Sequence, residues 1–203
     1  MAETEITTKR AVAADIDAIA AIVEAGFQSY GDFLPADWAP PSMSVERERI
    51  LETLTAPGTW ARLACAGSRV VGHVGFVPGH ERRAGDAPKP TPKVPGLAHL
   101  WHLFVDPGWW GAGVAALLHE LALAEMREQG YAQARLFTPA LHTRARRFYE
   151  RRGWATVDRQ FNDGLGLEMV EYRLELRPER SPASPRDRSR PGSGAVARAR
   201  RSA

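Results

Sequence analysis

LFVDPGWWGAGVAALLHEL, residues 103–121, is the stretch on which the fold turns. Its first residues end an apolar strand, and Asp106 and Pro107 stop it. Gly111 and Gly113 let the backbone turn tightly, and from Val114 onward Leu117, Leu118 and Leu121 repeat at helical spacing until Gly130. A helix that begins directly after a strand leaves its first N–H groups unpaired and aimed into one small volume, where the helix dipole favours negative charge. The stretch is a candidate cradle for phosphate. It lacks the third glycine of a dinucleotide fingerprint, and it lacks the Gly-Lys-Ser/Thr of a P-loop. An ordinary glycine-rich turn reads the same in isolation, so the neighbouring segments must decide.

Upstream, AHLWHLFV (98–105) reads as a strand. Strict alternation puts His99, Trp101, Leu103 and Val105 on one face and Leu100, His102 and Phe104 on the other. Both faces are largely apolar, which predicts a central strand. Residues 78–96 carry five prolines and many charges and read as a long loop. TWARLACA (59–66) and RVVGHVGFV (69–77) form a predicted hairpin around Gly67-Ser68. At the amino end a short strand precedes a helix with Ile16, Ile19, Ala20, Val23 and Phe27 on one stripe, and a second helix runs from Ser44 to Leu54. Glu46 falls in the first turn of that second helix, where the dipole favours an acid. Downstream come a strand (133–140), a short helix closed by Gly153, and two terminal strands (154–161 and 167–176) joined through Asn162-Asp163-Gly164. Helices embedded in a mostly antiparallel series predict an α/β (α+β) single domain with a mixed sheet.

A chain of 203 residues, 44% of them hydrophobic, suits one full core. It shows no long apolar run and no leader pattern, which reads as cytoplasmic. Cys65 is the single cysteine, and no Cys/His cluster has ligand spacing, so neither a disulfide framework nor a metal is expected. The net charge of +3 belongs to the end of the chain. Residues 177–203 hold eight arginines against Glu179 and Asp187, leaving residues 1–176 with 19 basic and 22 acidic groups, a net −3. We read 1–176 as the domain and 177–203 as a disordered Arg/Pro/Ser-rich tail that lacks apolar anchors. Nucleic acid is not an expected partner, because the domain is acidic and the tail has no aromatic residues to stack on bases.

The pattern L-H-x-x-A-x-x-F-Y-x-x-x-G-W (141–154) follows the next strand. Together with the 103–121 stretch it resembles the GNAT superfamily of N-acetyltransferases, whose mark is a strand ending V-x-P, an R/Q-x-x-G-x-G/A pyrophosphate loop, a helix, a strand and an A-x-x-F-Y helix. The likeness runs over about residues 5–176. It implies a sheet with a splayed parallel central strand pair, about four flanking helices, and acetyl-CoA as cofactor. The loop maps to Trp110, Gly111, Ala112, Gly113, Val114 and Ala115; His142, Ala145 and Phe148 map to the second element. Two positions depart from the pattern: Trp110 stands where the loop has Arg or Gln, and His142 where the second element often has Asn. The first removes a charged phosphate contact and leaves the backbone cradle.

The resemblance also implies roles. Main-chain groups of Leu103, Phe104 and Val105 would hold the pantetheine arm and polarise the thioester carbonyl, and Tyr149 would protonate the leaving thiolate. His99 stands where relatives carry Glu or His and is the candidate base, whereas His102, on the opposite face, reads as core. The expected reaction is N-acetylation of a small primary amine. Acetylation of a protein amino terminus or lysine, and a non-catalytic acyl-CoA sensor, are the alternatives. Phe33, Trp38 and the 78–96 loop are expected to wall the acceptor pocket, and the exposed terminal strands permit a homodimer.

Overall fold

A computed structural model describes residues 5–81 and 91–176. Residues 1–4, residues 82–90 of the proline-rich segment and the tail at 177–203 lie outside the described residues. Seven strands form one sheet: β1 (Ile6–Arg10), β2 (Trp60–Ala66), β3 (Arg69–His80), β4 (Lys93–Val105), β5 (Gln133–Pro139), β6 (Ala155–Asn162) and β7 (Leu167–Glu175). Their spatial order is β1-β2-β3-β4-β5-β7-β6. Among the described residues four α-helices flank them: α1 (Ile16–Gln28), α2 (Met43–Thr55), α3 (Val114–Glu128) and α4 (Thr143–Glu150). This is the expected mixed sheet with one parallel pair, β4 with β5.

Two cores sandwich the sheet. The α1 stripe of Ile16, Ile19, Val23 and Phe27 buries against Ile50 of α2 and against Leu63, Cys65 and Met169 of the sheet. Val114, Leu118, Ala122 and Met126 of α3 cover the other face, over Val74, Phe76, Leu100 and Val105. Each such side chain contributes roughly 1.5–3 kcal/mol by leaving water, which is why periodicity alone placed these helices correctly.

Two expectations about β4 need correction. Strand structure extends into the proline-rich segment, because His80 pairs with Lys93 and an irregularity near Pro78 absorbs the missing donor. The strict alternation of β4 also fails. Gly75 of β3 pairs with His102 and Phe76 with Leu100, so Trp101 is the extra residue of a bulge. Leu100, Leu103 and Val105 then pack toward α3, and Trp101 and Phe104 pack toward α1.

The parallel pairing is short. β4 and β5 pair only at Leu97, Ala98 and His99 against Gln133, Ala134 and Arg135, after which the strands diverge. β4 runs on to Val105 with β3 on one side, so its other side opens into a wedge.

Candidate active site

The wedge holds two cavities that share a wall. The first, about 400 Å³, runs from the 109–115 turn to α4. Gly111 and Gly113 have φ of +87° and +83°, a left-handed region that side chains with a Cβ rarely adopt. Nothing lies within 4 Å of where a Cβ would stand at either glycine, so the turn leaves open space in front of the α3 N-terminus. Gly113 is the N-cap of α3 and offers no side chain to satisfy the first N–H groups. Trp110 is anchored by its indole N–H, which donates to the Val105 carbonyl at 3.0 Å. The Arg144 guanidinium lies 4.1 Å from the centre of the Trp110 ring, which places a cation in the lining where the loop itself has none.

The second cavity, about 300 Å³, lies on the α1 side. Tyr30, Glu46, Arg49, Trp101, His102, Phe137 and Asn162 are among the groups that line it. Leu103, Val105, Trp110, His142, Ala145 and Tyr149 line both cavities. Tyr149 is buried, and burial raises its phenol well above the usual value, with Tyr30 adding to the effect; the hydroxyl stays protonated at neutral pH. His142 stacks on Phe33 with ring centres 4.6 Å apart and meets Tyr30 edge-on. Burial, and then Arg144, bring its pKa down to about 4.

The sequence-derived site residues gather unevenly. Leu103, Val105, Trp110, Gly111, Gly113, Val114, Ala115, His142, Ala145 and Phe148 all line the first cavity; Phe104 lines only the second, and Ala112 neither. His99 also lies outside both linings. It sits where β4 and β5 part, with Nδ1 3.3 Å from the Arg135 carbonyl, and burial followed by Arg135 depresses its pKa to about 3. His102, read as core, lines the second cavity. It shares the α1 side with Phe104, as alternation placed it, and the bulge at Trp101 turns Leu100 to the α3 side with Leu103 and Val105. Burial holds His102 neutral, well below the usual histidine value.

The acceptor-side wall differs from expectation. Phe33 and Trp38 stand behind Tyr30 at 5.1 and 5.7 Å between ring centres, and among the described residues of this segment, 78–81 and 91–96, none lines this cavity. Gly164 and Leu165, in the β6–β7 turn, line it instead, and the Trp38 indole N–H donates to the Leu165 carbonyl at 2.8 Å to hold that turn. Glu46 and Arg49 also escaped the sequence reading. Glu46 is 8% exposed and its carboxylate pairs with Arg49 at 2.7 Å. The missed signal is that Glu46 falls one turn before Ile50, on the buried stripe of α2.

Among the described residues, no group of His, Cys, Asp or Glu could hold a metal ion, and no helix is long and apolar enough to cross a membrane.

A V-shaped break between parallel strands, a glycine turn at a helix start and a tyrosine shared by two cavities thus meet at the open side of β4. The acetyltransferase (GNAT) family model matches residues 23–154, and the chain belongs to that family. Acetyl-CoA is therefore its cofactor. Solved structures agree at the level of fold. The N-acetyltransferase from Staphylococcus aureus is 18% identical, with a TM-score of 0.63 over 85% of this chain and 99% of that one. PaiA N-acetyltransferase from Thermoplasma acidophilum, solved with coenzyme A, is 15% identical, with a TM-score of 0.60 over 82% and 98%. The ribosomal-protein-S18-alanine N-acetyltransferase from Escherichia coli is also 15% identical, at 0.60 over 90% and 98%. No curated protein matches the chain by sequence.

Proposed function

We propose that this protein transfers an acetyl group from acetyl-CoA to the primary amine of a small molecule, by direct attack of the amine on the thioester. The observation that carries the reading is the meeting of the two cavities at Tyr149 beside the open side of β4. The turn at Trp110–Ala115 and the start of α3 would hold the pyrophosphate, with Arg144 supplying the charge that Trp110 lacks. Leu103, Phe104 and Val105 on one side and His142, Ala145 and Phe148 on the other would flank the pantetheine arm.

Bound acetyl-CoA supplies an activated acyl group whose sulfur departs as a thiolate. The amine nitrogen forms the new bond to the acyl carbon as the carbon–sulfur bond breaks. Main-chain N–H groups of β4 stabilise charge on the carbonyl oxygen. Tyr149, kept protonated by burial, gives its proton to the sulfur. The proton lost by the amine passes to His102, which lines the acceptor cavity; His99 does not line it. A neutral imidazole of lowered basicity relays that proton to solvent, from which the Tyr149 phenolate regains its own, and does not store it.

The second cavity supports the choice of a small acceptor. Its volume of about 300 Å³ is at the small end for ligand sites, and aromatic rings and the Trp38-held turn wall it. A panel of small amines and of peptides with free amino termini, assayed for thiol release, tests this. Turnover confined to peptides would overturn the small-molecule reading.

A further inference from the structure

His119 has no part in either cavity lining, yet it is completely buried on α3, directly behind the tyrosine that the proposed chemistry needs. Its Nε2 accepts a hydrogen bond from the Trp154 indole N–H at 2.9 Å. The imidazole proton therefore sits on Nδ1, which faces a carboxylate oxygen of the mostly exposed Glu120 at 3.4 Å. Both rings then press on the wall of the site. Trp154 meets Tyr149 edge-on at 5.8 Å and His119 lies 6.4 Å from it, while Phe148 contacts His119 at 5.5 Å and Tyr149 at 5.3 Å between ring centres. Tyr172 closes the fourth side of Tyr149 at 6.2 Å.

Dispersion and edge-to-face contacts alone let aromatic rings slide with little penalty, whereas a buried N–H···N bond fixes a distance and a direction. Within this five-ring cluster the His119–Trp154 bond is the one ring-to-ring hydrogen bond among the described residues. It ties α3 to the segment that leaves α4, and the Trp154 backbone N–H adds a bond to the Tyr149 carbonyl at 3.2 Å.

We propose that His119 is a positioning residue: accepting the Trp154 hydrogen bond, it locks the Trp154 ring against Tyr149 and so fixes where the Tyr149 hydroxyl stands between the two cavities. The inference rests on the proton-donor reading of Tyr149. Burial supports the neutral acceptor form by drawing the His119 pKa down to about 4, with Glu120 opposing the shift and Arg152 and Arg127 adding to it.

The test combines kinetics with a direct view of the bond, using the full chain. His119→Leu should lower kcat about tenfold with the acetyl-CoA dissociation constant within about twofold of wild type, the split expected when only a catalytic proton donor is misplaced. His119→Gln, whose amide oxygen accepts from the same indole, should recover most of that loss. In a Tyr149→Phe background His119→Leu should add nothing further. Equal loss in both backgrounds, or undiminished turnover in His119→Leu, overturns the positioning role. If Tyr149→Phe is itself silent, the proton-donor reading fails separately, and NMR then decides the lock. The Trp154 indole proton should exchange slowly in wild type and fast in His119→Leu, with altered contacts between the Tyr149 ring and Trp154. A Tyr149 ring that keeps those contacts in His119→Leu overturns the lock itself.

Discussion

The two cavities that meet at Tyr149 are built by opposite means. The donor side of the proposed reaction comes from two continuous stretches, the end of β4 through the start of α3 and the length of α4, and the groups proposed to hold the pyrophosphate there are largely main-chain N–H groups at a helix start. The acceptor side draws side chains from α1, α2, β4, β5, the β6–β7 turn and β7. A backbone cradle depends on local turns and so leaves a local pattern, Gly-x-Gly before a helix. A side-chain pocket depends on which elements the fold brings together, and its residues carry no common spacing. On the proposed reading the donor side is accordingly generic, while the identity of the acceptor would rest on Glu46, Arg49, His102 and their neighbours.

Tyr149 belongs to both cavities, and its replacement gives the largest expected effect. Tyr149→Phe should lower turnover by about 10²-fold, the low end for a positioned proton donor because thiolate leaves well unaided. Acetyl-CoA affinity should hardly change, since the ring remains. Near wild-type turnover from about pH 6 to 9 would make the phenol structural. Gly113→Glu attacks the donor side alone. A side chain at φ +83° is strained and its carboxylate would stand in the cradle, so acetyl-CoA should bind at least about tenfold more weakly. Thermal shift with and without acetyl-CoA measures this, and equal shifts in both proteins would remove the cradle assignment.

On the acceptor side, His102→Ala should reduce kcat about tenfold while His99→Ala, outside both linings, changes it less than about twofold. The reverse ranking, from steady-state rates at pH 7, would restore His99 as the base. Arg144→Ala should weaken acetyl-CoA binding by about threefold and flatten its salt dependence, as loss of one partly exposed cation over an aromatic ring suggests. Calorimetry at two ionic strengths reads both.

The smallest effect concerns stability and not chemistry. His73 is completely buried, and burial lowers its pKa from 6.5 to about 3. The unfolded chain therefore binds a proton that the folded one refuses, and stability is lost as pH falls from about 6.5 toward 3. Between pH 6.5 and 5 this amounts to roughly 2 kcal/mol from His73. His73→Leu should reduce the drop in Tm between pH 7 and 5; an undiminished drop would place the acid sensitivity elsewhere.

Much of this molecule was legible before its structure. The α1 stripe, the hairpin at Gly67-Ser68, the α3 start and the A-x-x-F-Y helix all fell where periodicity and turn residues put them, because each is set by interactions within about one element. The cavity that His102 lines, and the turn of Trp101 onto the same side, were not legible. A bulge at Trp101 reverses alternation only where the partner strand makes room, and Gly75 does so: a Cβ there would stand 2.5 Å from the Trp101 indole nitrogen. The wall at Leu165 was hidden for the same reason, since its anchor, Trp38, lies 127 residues away in the chain. The sequence by itself determined the element order, the glycine turn at the start of α3 and the helix that carries Tyr149, all products of short-range sterics and backbone hydrogen bonding. Only the tertiary structure decided which histidine lines the second cavity and what encloses that cavity, because those contacts join residues with no neighbourhood in the chain.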